Sequence, residues 1–469
     1  MRITLSHAFP ARWRALITPA IGVLIGVMAP SLMVGIDHHT FGVALPTIRA
    51  YWGLDADTAA WTSMTYSLPF MALMPLYGRL GDSLGKRRLL LLGTLLFLVG
   101  TSVVAVSSSL GWFLLGRLIQ GIGTAGFVPL SIAIITQSFA AHERGKIMGI
   151  WNSIIPLTGL IFPYFGGLLV EQLGWRAIYP PTLVAGLVAL LLMLRYVPAQ
   201  NQRGVDWGFL RAFDWIGVLL LSSAMIALLF FTSSRPITGV AGLADWRLLG
   251  ICLCCFAGLL LWERRRSQPY INFQIFQNRN FTAVSIGAGL RMFLMSCTSF
   301  VLPLYLTDIH QLSASIIGIA VALQAGMLFV TSLIGGQVAD RWGGRRPVLI
   351  SMVGLVAVMI ALALAPARAP IWLILALTGV HGLIIGLSLA PLHRASMQGI
   401  APQETGAAAG LYSMIRFAGQ ILGVAVAGVT LQKNLALNLA PIAAYQAVFW
   451  LYAIVAVVAT VIGWGMSDD

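Results

Sequence analysis

The sequence predicts an all-α membrane protein that crosses the bilayer fourteen times and consists of two similar halves. Three observations support this fold class. The chain of 469 residues is 58% hydrophobic and only 9% charged, whereas about a quarter of the residues of a soluble domain are charged. Apolar runs of about 20 residues, the length that spans a bilayer, recur between polar turns. One short basic motif occurs twice.

Fourteen apolar runs have the length and composition of spanning helices. They cover approximately residues 19–45, 59–79, 89–108, 111–138, 146–170, 177–197, 214–233, 246–262, 281–304, 314–338, 347–365, 370–391, 405–430 and 444–465. We therefore expect an N-terminal six-helix half at 1–198, an inserted transmembrane hairpin with flanking cytoplasmic linkers at 199–279, and a C-terminal six-helix half at 280–469. Because the inserted pair of spans returns the chain to its starting side, both halves enter the membrane from the same side.

A glycine-rich basic motif follows the second span of each predicted half. The first copy begins at Gly78 and the second at Gly336, 258 positions later. Both copies carry Asp at the fifth, Gly at the eighth and basic residues at the tenth and eleventh positions, namely Asp82, Gly85, Arg87 and Arg88 in the first copy and Asp340, Gly343, Arg345 and Arg346 in the second. Such repetition in a membrane chain indicates two related halves with the solute between them.

The motif resembles the loop signature Gly-x-Leu-Ala-Asp-Arg-x-Gly-Arg-Lys of the major facilitator superfamily, with Gly81 and Ser83 as departures in the first copy. The resemblance implies the major facilitator fold and makes both copies gating loops on the cytoplasmic side. Fourteen spans instead of twelve resemble the drug:proton antiporter branch, which contains multidrug exporters.

The distribution of basic residues predicts the orientation. With a cytoplasmic N-terminus, 20 of the 29 Lys and Arg lie in cytoplasmic loops and 6 in outer loops, as the positive-inside rule requires. The remaining three, Arg117, Arg291 and Arg416, lie inside predicted spans. The net charge of +14 thus reflects membrane topology, and we expect no nucleic-acid partner. Both termini are predicted to be cytoplasmic, in a bacterial inner membrane.

Asp37 is the only carboxylate inside a predicted span. A charged group at mid-membrane costs about 2.5–3.5 kcal/mol on insertion scales and is by default a functional-site hypothesis. Asp37 with Ala44-Leu45-Pro46 resembles the first-span motif of the fourteen-span exporters, which usually have Thr at His39 and Asn at Gly42. The resemblance implies a role in proton coupling. The alternative is a structural partner for a buried arginine.

His38 and His39 follow Asp37 directly. Neighbouring residues on a helix point about 100° apart, so we do not expect them to chelate one ion. Imidazole titrates near neutral pH, and together with Asp37 they would form a proton relay. In the alternative interpretation one ring faces the cavity and the other bonds a neighbouring helix.

Arg117 and Gln120 belong to the fourth predicted span and lie at positions i and i+3, on one helix face. The sequence Arg-x-x-Gln-Gly-x-Gly resembles a second signature of the superfamily. An arginine cannot deprotonate, so its predicted role is to tune a nearby acid or to hold a buried water. A purely structural anchor is the alternative.

Two further helices carry export-type patterns. The fifth span resembles the glycine-rich antiporter helix, with Thr158 and Phe162 in place of two glycines, and the matching positions are Gly149, Pro163, Gly166 and Gly167. Arg416, in the thirteenth span, is followed by the small-residue face of Gly419 and Gly423. Arg416 would line the cavity, take part in the cytoplasmic gate, or extend to the inner membrane surface.

These features predict proton-coupled export of lipophilic or cationic small molecules or drugs by alternating access. A proton-coupled carrier of one metabolite is the alternative. A membrane enzyme or sensor ranks last, because the sequence has no nucleophile–base set and no metal cluster. We expect no cofactor besides the proton gradient. The partners are a small-molecule substrate, protons and the lipid bilayer; the sequence does not decide whether a periplasmic adaptor takes part.

Overall fold

The computed structural model describes residues 19–140, 143–198, 213–266, 271, 273–400 and 405–466. Within these residues the fold is all-helical, as predicted. The N-terminal half contains α1 Pro19–Trp52, α2 Ala56–Leu84, α3 Lys86–Ala105, α4 Leu110–Thr124, α5 Phe127–Ser138, α6 Arg144–Asn152, α7 Ile154–Leu173, the 3₁₀ turn Trp175–Ile178 and α8 Tyr179–Tyr196.

The inserted hairpin comes next. It comprises α9 Trp215–Thr232, the single turn α10 Arg235–Thr238 and α11 Trp246–Glu263. The C-terminal half contains the 3₁₀ turn Phe273–Gln277, α12 Arg279–Ser296, the π-helical turn Cys297–Val301, α13 Leu302–Asp308, α14 Ala314–Trp342, α15 Arg345–Leu364, α16 Ile371–Leu387, α17 Leu389–Ala395, α18 Thr405–Ala436 and α19 Pro441–Trp464.

Every predicted span corresponds to a helix or to a pair of consecutive helices. Thirteen of these segments, in the described part of the chain, are long and apolar enough to cross a membrane. The remaining one, α2, has 29 residues but is not among the thirteen; the Thr and Ser residues in its first half lower its mean hydropathy. The protein is therefore a multi-pass membrane protein, and the count of fourteen spans stays a prediction.

Glycine at positive φ separates helices at both copies of the basic motif. Gly85 has φ +96° between α2 and α3, and Gly343 has φ +77° between α14 and α15. Most of each motif copy is therefore helical rather than a loop, since α2 continues to Leu84 and α14 to Trp342. Only the glycine at the eighth position of each copy, with Gly344 in the second, breaks the helix, because side-chain-bearing residues disfavour these angles.

Two helix pairs join the halves. Along one seam α7 packs on α14, and along the other α2 packs on α18. A Cβ on Gly318 would collide with Pro163, and one on Gly428 would contact Ala60, so the small residues set these close approaches. Helix α9 of the inserted hairpin packs against both α2 and α18 and thus covers the second seam.

Large apolar side chains lie on the outside of the bundle as well as in its core. Phe97, Tyr305 and Phe449 are fully buried, whereas Leu219 and Val461 are each 66% exposed. In a soluble protein such an exterior would aggregate, but hydrocarbon solvates it, and the helices satisfy their own backbone hydrogen bonds.

Candidate functional site

Asp37, Arg117 and Gln120 form a closed, buried ring of hydrogen bonds. Arg117 Nη1 donates to Asp37 Oδ2 at 3.0 Å and to Gln120 Oε1 at 2.9 Å, and Gln120 Nε2 donates to Asp37 Oδ1 at 3.2 Å. All three residues are at most 3% exposed. The structure thus brings together three predicted site residues from α1 and α4, and Asp37 is an ion-pair partner in this state.

Residues of the surrounding helices add hydrogen bonds and cation–π contacts to this polar centre. Arg117 Nε donates to the carbonyl oxygen of Thr62 at 3.1 Å, and Gln120 Nε2 also donates to Thr101 Oγ1 at 2.8 Å. The Arg117 guanidinium carbon lies 4.0 Å from the Phe41 ring centre and 4.7 Å from that of Tyr66, within cation–π range. Four helices, α1 to α4, therefore hold one buried arginine.

Glycines of the signature allow this convergence. A Cβ on Gly121 would collide with the backbone of Tyr66 in α2, and one on Gly116 would come within 2.9 Å of the Gly100 carbonyl oxygen in α3. Because α4 has no side chain at these contacts, α2 approaches closely enough for the Thr62 carbonyl to reach Arg117, and α3 closely enough for the Thr101 hydroxyl to reach Gln120. Thr62 and Thr101 were not singled out from the sequence, since hydroxyl residues are common in spanning helices.

His38 and His39 lie next to the polar centre but have different surroundings. Their ring centres are 5.1 Å apart with an interplanar angle of 76°. His39 Nε2 lies 3.2 Å from the carbonyl oxygen of Ile155 in α7; since a carbonyl only accepts, this nitrogen is the donor. A Cβ on Gly159 would be 2.8 Å from both His39 and Ala325 of α14. His39 therefore links the α1 site to the seam between the halves.

The glycines of the fifth span make close helix contacts at one end only. Gly167 packs on the backbone of Ala314, and Gly166 on Thr40. A Cβ on Gly149, near the other end, would meet nothing within 4 Å. Pro163 lies inside the continuous helix α7, and the interruption falls at Ser153, between α6 and α7.

The gating-loop residues occupy equivalent places in the two halves. Arg87 Nη2 donates to the carbonyl oxygen of Leu194 in α8 at 2.7 Å. Arg345, half-buried at the start of α15, has an Nε without a hydrogen-bond partner in the described part of the structure. The side chains of Asp82 and Asp340 and the packing of Gly336 lie outside what the structure describes. A Cβ added to Gly78 would lie 3.5 Å from the Pro129 side chain of α5.

Arg416 is not part of the Asp37 centre. Its Nη1 donates to His393 Nε2 of α17 at 2.8 Å, on the C-terminal side of the bundle. Nearby, the guanidinium of Arg291 in α12 donates through Nε to the carbonyl oxygen of Ile385 at 3.0 Å and to Ser388 Oγ at 3.2 Å. Sequence reasoning missed His393 because the predicted twelfth span ended two residues before it.

Polar contacts also bridge the halves at the end of the bundle predicted to face outward. Arg49, near the end of α1, pairs with Asp308 at the end of α13 at 2.5 Å, and Tyr445 of α19 donates to the same carboxylate at 2.6 Å. On the α7–α14 seam, Ser315 Oγ donates to Glu171 at 2.6 Å. The described conformation is closed at this end.

The sequence and the fold were compared with known proteins. The Riboflavin transporter RibZ of Clostridioides difficile (strain 630) is 26% identical over 415 residues, which cover 88% of this chain and 87% of that protein. Multidrug resistance protein 3 of Bacillus subtilis (strain 168) is 26% identical over 426 residues, which cover 89% and 80%.

A solved structure and a family profile agree with these relatives. The crystal structure of a D-xylose-proton symporter superposes with a TM-score of 0.71 at 14% identity, covering 96% of this chain and 99% of that one. At such identity the likeness concerns the fold alone. The sequence profile described as Major Facilitator Superfamily matches residues 21–272 and 284–467. Since the match extends over both halves, the chain belongs to the major facilitator superfamily and is a membrane transporter, not an enzyme.

Proposed function

We propose that this transporter exports lipophilic or cationic small molecules in exchange for protons, by alternating access, across the bacterial cytoplasmic membrane with both termini on the cytoplasmic side. The observation that carries the proposal is the Asp37–Arg117–Gln120 ring, whose carboxylate is the only one that the sequence places inside a predicted span. The similarity to a multidrug resistance protein supports export.

The proton acts by removing the charge that pairs with Arg117. A protonated Asp37 no longer offers Arg117 an anion, and the buried guanidinium then keeps only neutral acceptors, namely Gln120 and the Thr62 carbonyl. Because an unpaired buried charge is unfavourable, the neutral and ionised forms of Asp37 prefer different arrangements of α1 and α4. A ligand or proton shifts such an equilibrium by its differential affinity for the two states.

His39 connects the Asp37 site with the α7–α14 interface between the halves. It is separated from Asp37 by one residue and contacts α7 at Ile155 and Gly159, where α14 also packs. A change in α1 therefore reaches the interface between the halves through a direct contact. In this proposal His38 and His39 exchange protons with Asp37 as a relay.

The substrate part of the proposal depends on an apolar pocket between α2, α9 and α18. All of its lining residues are apolar: Leu68, Met71, Met225, Leu228, Leu229, Ala418, Ile421 and Leu422. The cavity has a volume of only about 20 Å³, so this apolar lining would take a lipophilic molecule after the three helices move apart. A cationic molecule would in addition compete with Arg117 for Asp37, because the carboxylate is already paired.

The alternative, a carrier of one metabolite, is favoured by the similarity to a riboflavin transporter. Proteoliposomes with an imposed proton gradient separate the two hypotheses. Gradient-driven transport of ethidium and of other lipophilic cations supports multidrug export. Transport of riboflavin alone among such compounds supports the carrier.

Asp37→Asn tests the coupling. The change removes the charge at nearly constant volume, so we expect membrane insertion to persist and substrate-induced proton movement, followed with an entrapped pH-sensitive dye, to collapse. Asp245→Asn is the matched control, because Asp245 pairs with Arg247 in the loop of the inserted hairpin, away from the polar centre. If Asp37→Asn still moves protons with substrate at the native ratio, coupling resides elsewhere, and His38 and His39 become the next residues to test.

A further inference from the structure

Arg291 in α12 and Arg416 in α18 are two arginines of the C-terminal half that have no carboxylate partner among the described residues. Arg291 is 2% exposed, and Arg416 is half-buried. Within the described residues neither forms a salt bridge, whereas the buried Arg117 of the N-terminal half pairs with Asp37. Buried arginine is thus paired with a carboxylate in the N-terminal half but not at Arg291 and Arg416 in the C-terminal half. Since burial of an unpaired charge is costly, an anion bound near Arg291 and Arg416 would be stabilised by both charges.

The donors of Arg291 are only partly used. Its Nε donates to Ile385 O and Ser388 Oγ, and its Nη1 has only the sulfur of Met292 at 3.7 Å. Neither terminal nitrogen donates to an oxygen of the described chain. A guanidinium presents five donors in a planar fork that matches a carboxylate or a phosphate, and the two terminal nitrogens of Arg291 have only the weak Met292 sulfur contact.

Arg416 adds a second cation to the same region. Its single hydrogen bond among the described residues goes to His393 Nε2. Because arginine only donates, His393 accepts with this nitrogen and is neutral in this state. The charges of Arg291 and Arg416 act on each other and on His393. The cluster thus contains two positive charges that no described negative charge compensates.

A third observation comes from His381, which is 1% exposed and whose ring nitrogens form no hydrogen bond of good geometry in the described structure, with only the Leu294 backbone close to the ring. His381 lies one helical turn before Ile385, the residue whose carbonyl receives Arg291, so both belong to the same face of α16. The side-chain amide of Gln324, in the neighbouring helix α14, is likewise buried without an acceptor. Buried polar groups are normally paired, and all of these groups can donate.

Aromatic rings border the cluster. The Arg416 guanidinium carbon lies 5.5 Å from the Tyr412 ring centre and 5.7 Å from that of Phe417, and Tyr412 also contacts the ring of His393 edge to face. A ligand here meets cationic donors on one side and aromatic surface on the other.

We infer that Arg291, Arg416 and His393 form a binding site for the anionic group of an organic solute, such as an aromatic carboxylate, between α12, α17 and α18. The inference rests on the proposed function, because the solute is taken to be a transported lipophilic molecule, and it adds that substrates include molecules with a negative group. Arg416 and His393 are the contact residues because they are half-buried, and Arg291 supplies the second charge from behind.

The test uses three probes with one ring system and different charge: 2-naphthoate, 2-naphthamide and trimethyl(2-naphthyl)ammonium. Binding to the purified full-length protein in an uncharged detergent is measured by isothermal titration calorimetry. Hydrogen bonds to charged groups are the strong ones, so we expect naphthoate to bind roughly ten-fold or more tightly than naphthamide, and the ammonium probe to bind weakest.

Variants of Arg416 locate the effect. Arg416→Gln should abolish the preference for naphthoate, and Arg416→Lys should keep part of it. Arg368→Gln, which removes an exposed charge between α15 and α16, is the control and should leave the preference unchanged. Arg416 is chosen over Arg291 because Arg291 also holds the break between α16 and α17 through Ser388, and its loss could unfold the half.

Three results with the naphthyl probes would overturn the inference: equal affinity for naphthoate and naphthamide, no measurable binding of naphthoate, or a full preference in Arg416→Gln. A lipid phosphate carries the same charge, so phosphatidylglycerol is added in a separate titration; displacement of naphthoate by this lipid would assign the site to a headgroup and also refute it. Proton-driven transport of naphthamide without an anion preference would leave the proposed function standing. A preference for naphthoate that depends on Arg416, found without proton-coupled transport, would support the anion site and contradict the proposed function.

Discussion

Asp37 and Arg117, 80 positions apart in the chain, are joined at 3.0 Å in a site where both side chains are at most 3% exposed. The pair connects the first and the fourth spanning segments of the N-terminal half. Breaking one partner of a buried pair leaves the other charge uncompensated, which typically costs about 3–5 kcal/mol. Loss of either partner, or of the Asp37 charge, is therefore expected to destabilise this arrangement of α1 and α4.

A double-mutant cycle measures this coupling. We expect Asp37→Asn and Arg117→Gln each to lower the free energy of unfolding by a few kcal/mol, with about 3–5 kcal/mol as the upper range. The double variant should lose less unfolding free energy than the two single variants lose together, because it leaves no buried charge unpaired. Unfolding is followed by titration with sodium dodecyl sulfate in detergent micelles.

The same cycle on Asp245 and Arg247 is the control, since Arg247 is 74% exposed and its pair contributes little. Strictly additive losses at Asp37 and Arg117 would contradict the prediction.

The sequence predicted the members of this site but not their contacts. Asp37 stood out as the lone acid of a span, and Arg117 and Gln120 as a spaced motif. Periodicity places residues on one helix face, but it does not determine which faces of α1 and α4 meet. Thr62 and Thr101 contribute through a carbonyl and a hydroxyl group, which no spacing rule distinguishes from the many other threonines.

The fold, like the site, was predicted in part: the helices were predicted, but the breaks within them were not. Each predicted apolar run corresponds to helix in the described part of the chain, because hydropathy is the main signal for segments that enter the bilayer; α2 is less apolar than the thirteen candidate spans. The breaks at Ser153 and Ser388 and the π-helical turn at Cys297–Val301 were not predicted, since tertiary packing decides them. The Arg416–His393 contact joins the thirteenth span to the C-terminal end of the twelfth, where the predicted span ended too early.

Substitution of Gly85 or Gly343 by alanine should destabilise the protein. Both residues have positive φ, +96° and +77°, and an L-residue held in such regions costs about 1–3 kcal/mol. We expect a lower melting temperature for each variant in detergent. Gly149→Ala is the control, because Gly149 is helical and a Cβ there meets no atom within 4 Å; alanine should be neutral or slightly stabilising. Equal melting temperatures for all three variants would show that the loops tolerate a side chain.

Neutralisation of Asp82 should slow transport without unfolding the protein. Its backbone lies in the last turns of α2, beside the Gly85 break, and resemblance to the superfamily implies that its carboxylate stabilises the closed cytoplasmic gate. Helix N-termini attract carboxylates, and the start of α18 at Thr405 is a candidate partner. Asp82→Asn should reduce the transport rate in proteoliposomes, and Asp340→Asn should reduce it less. A native rate in Asp82→Asn would refute the gate assignment.

Arg49 and Asp308 form the corresponding contact at the opposite end of the bundle. The pair joins α1 of one half to α13 of the other at 2.5 Å, and Tyr445 donates to the same carboxylate. The side chains are 20% and 31% exposed, so the pair is worth only about 0–1 kcal/mol. An equilibrium between two conformations is nevertheless sensitive to this amount, because 1.4 kcal/mol changes a population ratio about ten-fold.

Arg49→Gln should therefore favour opening at this end, by up to about five-fold in the population ratio. Hydrogen exchange measured by mass spectrometry should rise in peptides from the ends of α1 and α13 and at the α7–α14 seam near Ser315, while the opposite end of the bundle stays protected. Arg247→Gln is the matched control, since its ion pair with Asp245 lies within the inserted hairpin and bridges no halves. If exchange at the ends of α1 and α13 is the same in Arg49→Gln and in the control, the pair does not hold the outer end closed, and the seam contacts of Glu171 and Gly167 are sufficient to do so.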